Sequence, residues 1–203
     1  MGLYIETTIK EEKGKGIMVE FDDRCGIFEK ELDLIFDDRI REFTKLCLYE
    51  APDYFFVNCP ASSTGKFHPL NELGADGTMI HTKKVITLAY ELCRGLDCEQ
   101  SRDEILSACI VHDLLKQGKT RSGHTLKNHA GLAAELVEKI QEQTQMLSKE
   151  SYETIRNCVG YHYGLWSTSQ WQKNLDDYTP EELCVYISDY IASKRCVEVN
   201  YRR

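Results

Sequence analysis

The segment ILSACIVHDLL, residues 105–115, is apolar on every side of a helix except at Ser107, His112 and Asp113. A helix without a polar face has to be enclosed by other elements. The segment therefore predicts a buried element that carries an imidazole and a carboxylate into the interior. The pattern around it is helical as well. From Gly77 onward apolar residues recur three, four and seven apart, which predicts helices near 78–94, 101–116, 125–142, 148–163 and 180–197. Ser101 with Glu104 has the spacing of a capping box, and Thr179-Pro180-Glu181-Glu182 places a cap, an N1 proline and an N3 carboxylate in order. Upstream, Leu32, Ile35, Phe36, Ile40, Phe43 and Leu46 predict an amphipathic helix over 29–48. Residues 52–77 carry Pro, Gly, Ser and Asn without periodicity and predict a long ordered loop. Residues 3–9 and 16–21 alternate apolar and polar around EEKGKG, the pattern of a short hairpin or arm. The expected fold class is all-α: one helical domain over 29–203, with an N-terminal β-hairpin or arm over 1–28.

A chain of 203 residues accommodates one sizeable domain, and hence one active site. Its formal charge of -8 provides no global attraction to nucleic acid or to an anionic membrane, so any phosphate binding must be local. The nine cysteines are odd in number and include no CxxC pair, which predicts reduced core thiols in a cytosolic protein rather than a disulfide framework. No stretch approaches the ~18 apolar residues of a membrane span, and the first residues lack the apolar core of a signal peptide. The expectation is a soluble cytoplasmic protein with no membrane partner and an oligomeric state left open.

The six histidines, at 68, 81, 112, 124, 129 and 162, lie in the middle of the chain. His81 is in line with Val85, Leu88 and Leu92. His129 aligns with Leu132, Ala133, Leu136 and Ile140, and His162 follows Ile155 and Val159. Three histidines thus fall on core-facing surfaces of three helices. In LCVYISDYIA, residues 183–192, Asp189 has only Ser188 as a strongly polar neighbour. A buried carboxylate without a partner costs several kcal/mol or more, so Asp113 and Asp189 each need one. A core histidine is commonly hydrogen-bonded, and a buried aspartate commonly pairs with Arg, Lys or a helix N-terminus. A single divalent cation satisfies His81, His112, Asp113 and Asp189 together. Imidazole with carboxylate suits Mn, Fe, Co, Ni or Zn better than an all-oxygen Mg cage.

The adjacent His112-Asp113 pair, with His81 before it and Asp189 after it, resembles the H...HD...D signature of HD-superfamily phosphohydrolases. There these four residues bind the catalytic metal inside a bundle of about five helices. The resemblance runs over roughly 50–197. Pro60, Ala61, Ser62, Lys66, Phe67, His68, Gly74, Gly77, His81 and Thr82 match the segment before the first metal histidine in stand-alone bacterial and phage HD proteins and in the HD domain of bacterial 3'-to-5' exoribonucleases. One departure is Asp76-Gly77 in place of the usual glycine pair. The resemblance further implies that Lys116 is the lysine of the HDxxK subgroup. It also implies that His129 and His162 complete a second metal site, with Asp113 bridging the two ions. A phage-encoded member would act in the host cytoplasm.

The expected function is hydrolysis of a nucleotide mono-, tri- or cyclic phosphate by metal-activated water, with one or two divalent ions. Asp113 and Lys116 are the candidate catalytic residues. Lys66, His68, His124 and Trp166 are candidates for substrate binding, Trp166 by stacking on a base. The TGK at 64–66 lacks the first glycine and the Ser or Thr of a P-loop, which excludes that reading. The alternatives are a 3'-5' exonuclease or phosphodiesterase on short single-stranded nucleic acid, and a non-catalytic ligand-sensing HD module. A di-iron oxygenase on a similar scaffold is a third, distinguished by bound redox-active iron.

Overall fold

The structure, a computed structural model, describes residues 21–200. The hairpin or arm expected over 3–9 and 16–21 lies outside the described residues apart from Phe21. Within them the chain is all-α and contains no strand, and no helix is long and apolar enough to cross a membrane. The α-helices are α1 (Phe21–Ile27), α2 (Glu29–Leu32), α3 (Asp38–Glu50), α4 (Asp53–Val57), α5 (Gly77–Gly95), α6 (Arg102–Val111), α7 (His129–Thr144), α8 (Lys149–Tyr161) and α9 (Pro180–Ala192).

The element that cannot face water lies at the centre. Every residue of α6 from Ile105 to Val111 is buried, and the helix packs against α3, α5, α8 and α9. Ser107, the one polar residue of that buried stretch, meets Thr44 Oγ1 of α3 at 2.7 Å, so the hydroxyl is not left unpaired in the core. Helices α5 and α9 pack side by side, as do α7 and α8. Seven cysteines, at 47, 59, 93, 98, 109, 158 and 184, are buried thiols of this core, as expected.

Several boundaries differ from the expected ones. The helix expected over 29–48 breaks after Leu32. Asp37 accepts from the Arg39 and Ile40 amides and starts a new helix, while Asp103 accepts from the Phe36 and Asp37 amides. Phe36 is consequently on the surface, beneath the Arg102 guanidinium, and not on a core face. The 52–77 stretch is mostly loop but contains α4 and a 3-10 turn at Leu70–Glu72. Ser101 does not cap α6; its hydroxyl donates to Glu181, and Glu104 accepts from Ser151. The cap at Thr179 is present in full, with Pro180 at the first helical position.

The boundary that matters for chemistry is the end of α6, at Val111 instead of 116. The chain continues in tight turns, with Leu114 N–H bonded to Val111 O at 3.1 Å and Lys116 N–H to Asp113 O at 3.0 Å. Tyr54 clamps the turn by donating to Gly118 O at 2.7 Å and accepting from Gln117 N at 3.0 Å. His112 and Asp113 therefore project from a fixed turn at a helix C-terminus.

Candidate metal centre

Four histidines and two aspartates from separate parts of the chain meet in one place. His81 sits in the second turn of α5, His112 and Asp113 follow α6, and His129 opens α7. His162 ends α8 and Asp189 comes from α9. His81, His112, His129 and His162 are each at most 1 % exposed, while the Asp189 side chain keeps about one-fifth of its surface open. His81 Nε2 lies 2.8 Å from Asp189 Oδ1. His112 Nε2 lies 3.5 Å from Asp113 Oδ2 and 4.0 Å from Asp189 Oδ1. Asp113 Oδ1 lies 3.2 Å from His129 Nε2 and 3.9 Å from His162 Nε2, and those two nitrogens are 3.1 Å apart.

The protons on these rings follow from their outer contacts. His112 Nδ1 is 2.7 Å from Cys109 O, His129 Nδ1 is 2.6 Å from Leu126 O, and His162 Nδ1 is 2.7 Å from Val159 O. A carbonyl only accepts, so each Nδ1 carries a proton, and in the neutral ring that a metal requires Nε2 presents its lone pair inward. Lone pairs of His129, His162 and Asp113 Oδ1 thus crowd to within 3.1–3.9 Å of one another. His112 Nε2 and Asp113 Oδ1 are buried without any hydrogen-bond partner. Such atoms cost about 1–3 kcal/mol each when left unsatisfied. A proton bridges two of them at a time; a divalent cation serves all of them. Bonds of about 2.1 Å to an ion put neighbouring donors ~3.0–3.5 Å apart; His112–Asp113, Asp113–His129 and His129–His162 have that spacing, and the remaining pairs run from 2.8 to 4.0 Å. The donor set fits a metal, with Asp113 common to a His81/His112 group and a His129/His162 group.

A family model described as the HD domain matches residues 78–194, more than half of the chain. The chain belongs to the HD family. No curated protein and no solved structure matches it. HD domains are typically metal-dependent phosphohydrolases, and the divalent-metal binding that the family implies agrees with these buried clusters. All six converging residues lie inside the matched span.

The charge distribution of the HD centre is uneven. Burial opposes ionisation of Asp113, but the Lys116 ammonium leads the interactions that outweigh it and hold the carboxyl well below its ordinary range. The Lys116 ammonium, itself buried, bonds Asp113 Oδ2 at 2.5 Å and has its own pKa raised by that carboxylate. The common pairing of a buried aspartate with lysine is therefore present too. It occupies Oδ2, which His112 Nε2 also approaches, and leaves Oδ1 to His129 and His162. Burial alone would depress His81, yet the Asp189 and Glu72 carboxylates lift it to about 9. His162 is driven down to about 3 by burial and by the neighbouring His112 and His129.

The other sequence candidates lie around this centre. His68 is buried, its ring 4.7 Å from that of His81, and its Nδ1 meets Glu72 Oε2 at 2.7 Å. Trp166 is half exposed, stacked at 12° with Tyr190 and tilted against Tyr163, whose ring is 4.4 Å from His129. Lys66 and His124 are exposed and do not join the cluster; the His124 ring stays with Ser122 O in its own loop. Sequence reasoning missed Glu72, Lys84 and Tyr163. Glu72 lies in a stretch without periodicity, so nothing in the sequence marks it as buried. Its placement four residues after His68 is the only local signal.

Proposed function

We propose that this HD protein is a hydrolase of nucleotide phosphoesters or phosphoanhydrides with a two-ion centre. His81, His112, Asp113 and Asp189 hold one ion, and Asp113 with His129 and His162 holds the other. The observation that carries the reading is the convergence of Nε2 atoms, on rings whose Nδ1 protons are taken up by backbone carbonyls, around a buried Asp113 oxygen that has no hydrogen-bond partner. Divalent ions at such donors supply Lewis acidity and make water a nucleophile at neutral pH. Lys116 keeps Asp113 ionised and holds a fixed positive charge beside the centre, where charge develops on phosphoryl oxygens.

A nucleotide is favoured by the aromatic ledge on the rim. Trp166 and Tyr190 lie nearly parallel with ring centroids 6.3 Å apart, and Tyr190 follows Asp189 directly. Trp166 is 54 % exposed and is the ring offered to a base, while Tyr190 backs it. Lys194 Nζ stands 3.6 Å from the Tyr190 ring centroid, adding positive charge to the rim. The net charge of -8 disfavours long nucleic acid, because an acidic surface forgoes the counterion release that drives such binding.

The test is a screen of metal-stripped protein, resupplied with Mn, Mg, Co or Ni, against nucleoside mono-, di- and triphosphates, cyclic nucleotides and short RNA and DNA. The expected result is metal-dependent release of phosphate or nucleotide from a mononucleotide, abolished by His112→Ala. Activity that survives chelation or His112→Ala would refute the mechanism, and turnover of oligonucleotides alone would refute the substrate class.

A further inference from the structure

His81 differs from the other three histidines of the centre. His112 and His162 end their helices, where carbonyls three residues back lack helical partners. His129 opens its helix and uses Leu126 O, which precedes it. His81 is the fifth residue of α5, where the carbonyl three residues back belongs to the helix ladder. Its Nδ1 is buried and needs an acceptor from elsewhere. The facing atom is Glu72 Oε2, at 3.5 Å.

Glu72 is held there with unusual firmness for a loop residue. It is fully buried, and its backbone carbonyl accepts from Ala61 N at 2.9 Å. Gly77, the first residue of α5, packs so closely on Glu72 that a Cβ would lie 1.8 Å from the Glu72 carbonyl oxygen. Its side chain takes Lys84 Nζ on Oε1 at 2.5 Å and His68 Nδ1 on Oε2 at 2.7 Å. His68, Glu72 and His81 also have the proximity of a metal-binding group. The Lys84 ammonium on the carboxylate disfavours a second cation there.

We infer that Glu72 is a positioning residue for the metal centre. Its carboxylate holds the proton of His81 on Nδ1 and so keeps the Nε2 lone pair aimed at the ion, with His68 and Lys84 fixing the carboxylate in turn. The role rests on the metal reading above and is independent of the substrate. Carboxylates that orient a metal-bound imidazole in this way affect metal affinity about 10–100-fold.

The test uses the metal-stripped full chain titrated with Co(II) alone, beside thermal melting of the same metal-free samples. Glu72→Gln is expected to weaken Co(II) binding about 10–100-fold. It also leaves the Lys84 ammonium buried and unpaired, so it lowers the melting temperature. Glu72→Gln/Lys84→Met removes both charges. It is expected to recover much of the melting temperature and none of the Co(II) affinity, a split that a purely structural role would not produce. Wild-type affinity in the double variant would overturn the assignment. Should both variants fail to fold, NMR of the wild-type protein loaded with Zn(II) decides: a strongly downfield His81 Nδ1 proton with an NOE or coupling path to Glu72 supports the role, and a His81 Nδ1 that is bare or whose proton is not hydrogen-bonded to Glu72 overturns it. Wild-type protein that takes up no Co(II) would overturn the metal centre itself and the role of Glu72 with it, whereas wild-type uptake with an unweakened double variant would overturn Glu72 alone.

Discussion

At the scale of single residues, Asp113 is the hinge of the site because its two oxygens serve different neighbours. Oδ2 belongs to Lys116, and Oδ1 faces His129 and His162. Asp113→Asn is expected to lower turnover by about 10³-fold or more, since it removes the donor that the proposed two-ion centre shares. Removing the charge also strands a buried ammonium, which costs roughly 3–5 kcal/mol. Denaturant melts of the variant should show that loss, and Asp113→Asn/Lys116→Met should recover stability without activity. Trp166→Ala is expected to raise KM for a nucleotide by about tenfold, as base stacking contributes ~1–3 kcal/mol. Hydrolysis of a phosphoester without a base should be unchanged, and an equal loss on both substrates would contradict stacking. His81 determines the alkaline behaviour of the metal-free protein. Its folded pKa of about 9 exceeds the unfolded 6.5, so its contribution is fully present below about 6.5 and disappears as pH rises through 9. His162 has the opposite sign: neutral when folded, it costs stability as pH falls below 6.5 toward 3. Thermal melts of the stripped protein should therefore peak near pH 6.5.

At the scale of elements, helix α8 depends on one glycine. A Cβ on Gly160 would lie 1.9–2.0 Å from the Trp171 ring, and this indole also spans Tyr161 and Arg156. Gly160→Ala is expected to destabilise by roughly 1–3 kcal/mol despite alanine's better helix propensity. A shift of the urea midpoint upward would contradict that packing. The elements were legible in the sequence wherever apolar spacing was long and continuous: α5 and α8 lie where the spacing places them, α7 opens at His129 instead of 125 and α9 stops at Ala192 instead of 197, and Thr179 caps α9 as its sequence signals. The α2–α3 break was not legible, because Asp37 caps a helix whose preceding residues still carry apolar spacing. The actual stop of α6 at Val111 was also hidden. The apolar run continues through Leu114 and Leu115, and the turn that follows the helix is held by the distant Tyr54 hydroxyl, which periodicity does not record.

At the scale of the molecule, the same economy explains which parts of the site could be read in advance. His81, His112, Asp113, His129, His162 and Asp189 stand out because a polar residue on an apolar helix face is improbable without a partner. Glu72 and Lys84 pair with each other inside the fold, and residues that satisfy one another across a loop leave no trace in periodicity. The helices α5, α6, α7, α8 and α9 all contribute to the centre or abut it, so bound metal should act as a clasp on the whole bundle. Metal at about a thousandfold over its dissociation constant is expected to stabilise the fold by ~4 kcal/mol, and chelation should remove it. An unchanged melting temperature on chelation would contradict the clasp. The most direct test of the centre is calorimetric titration of metal-stripped protein with Mn(II), run beside Asp113→Asn. The expected result is two equivalents bound by the wild-type chain and neither tight site retained by the variant; equal binding by both proteins would contradict the account.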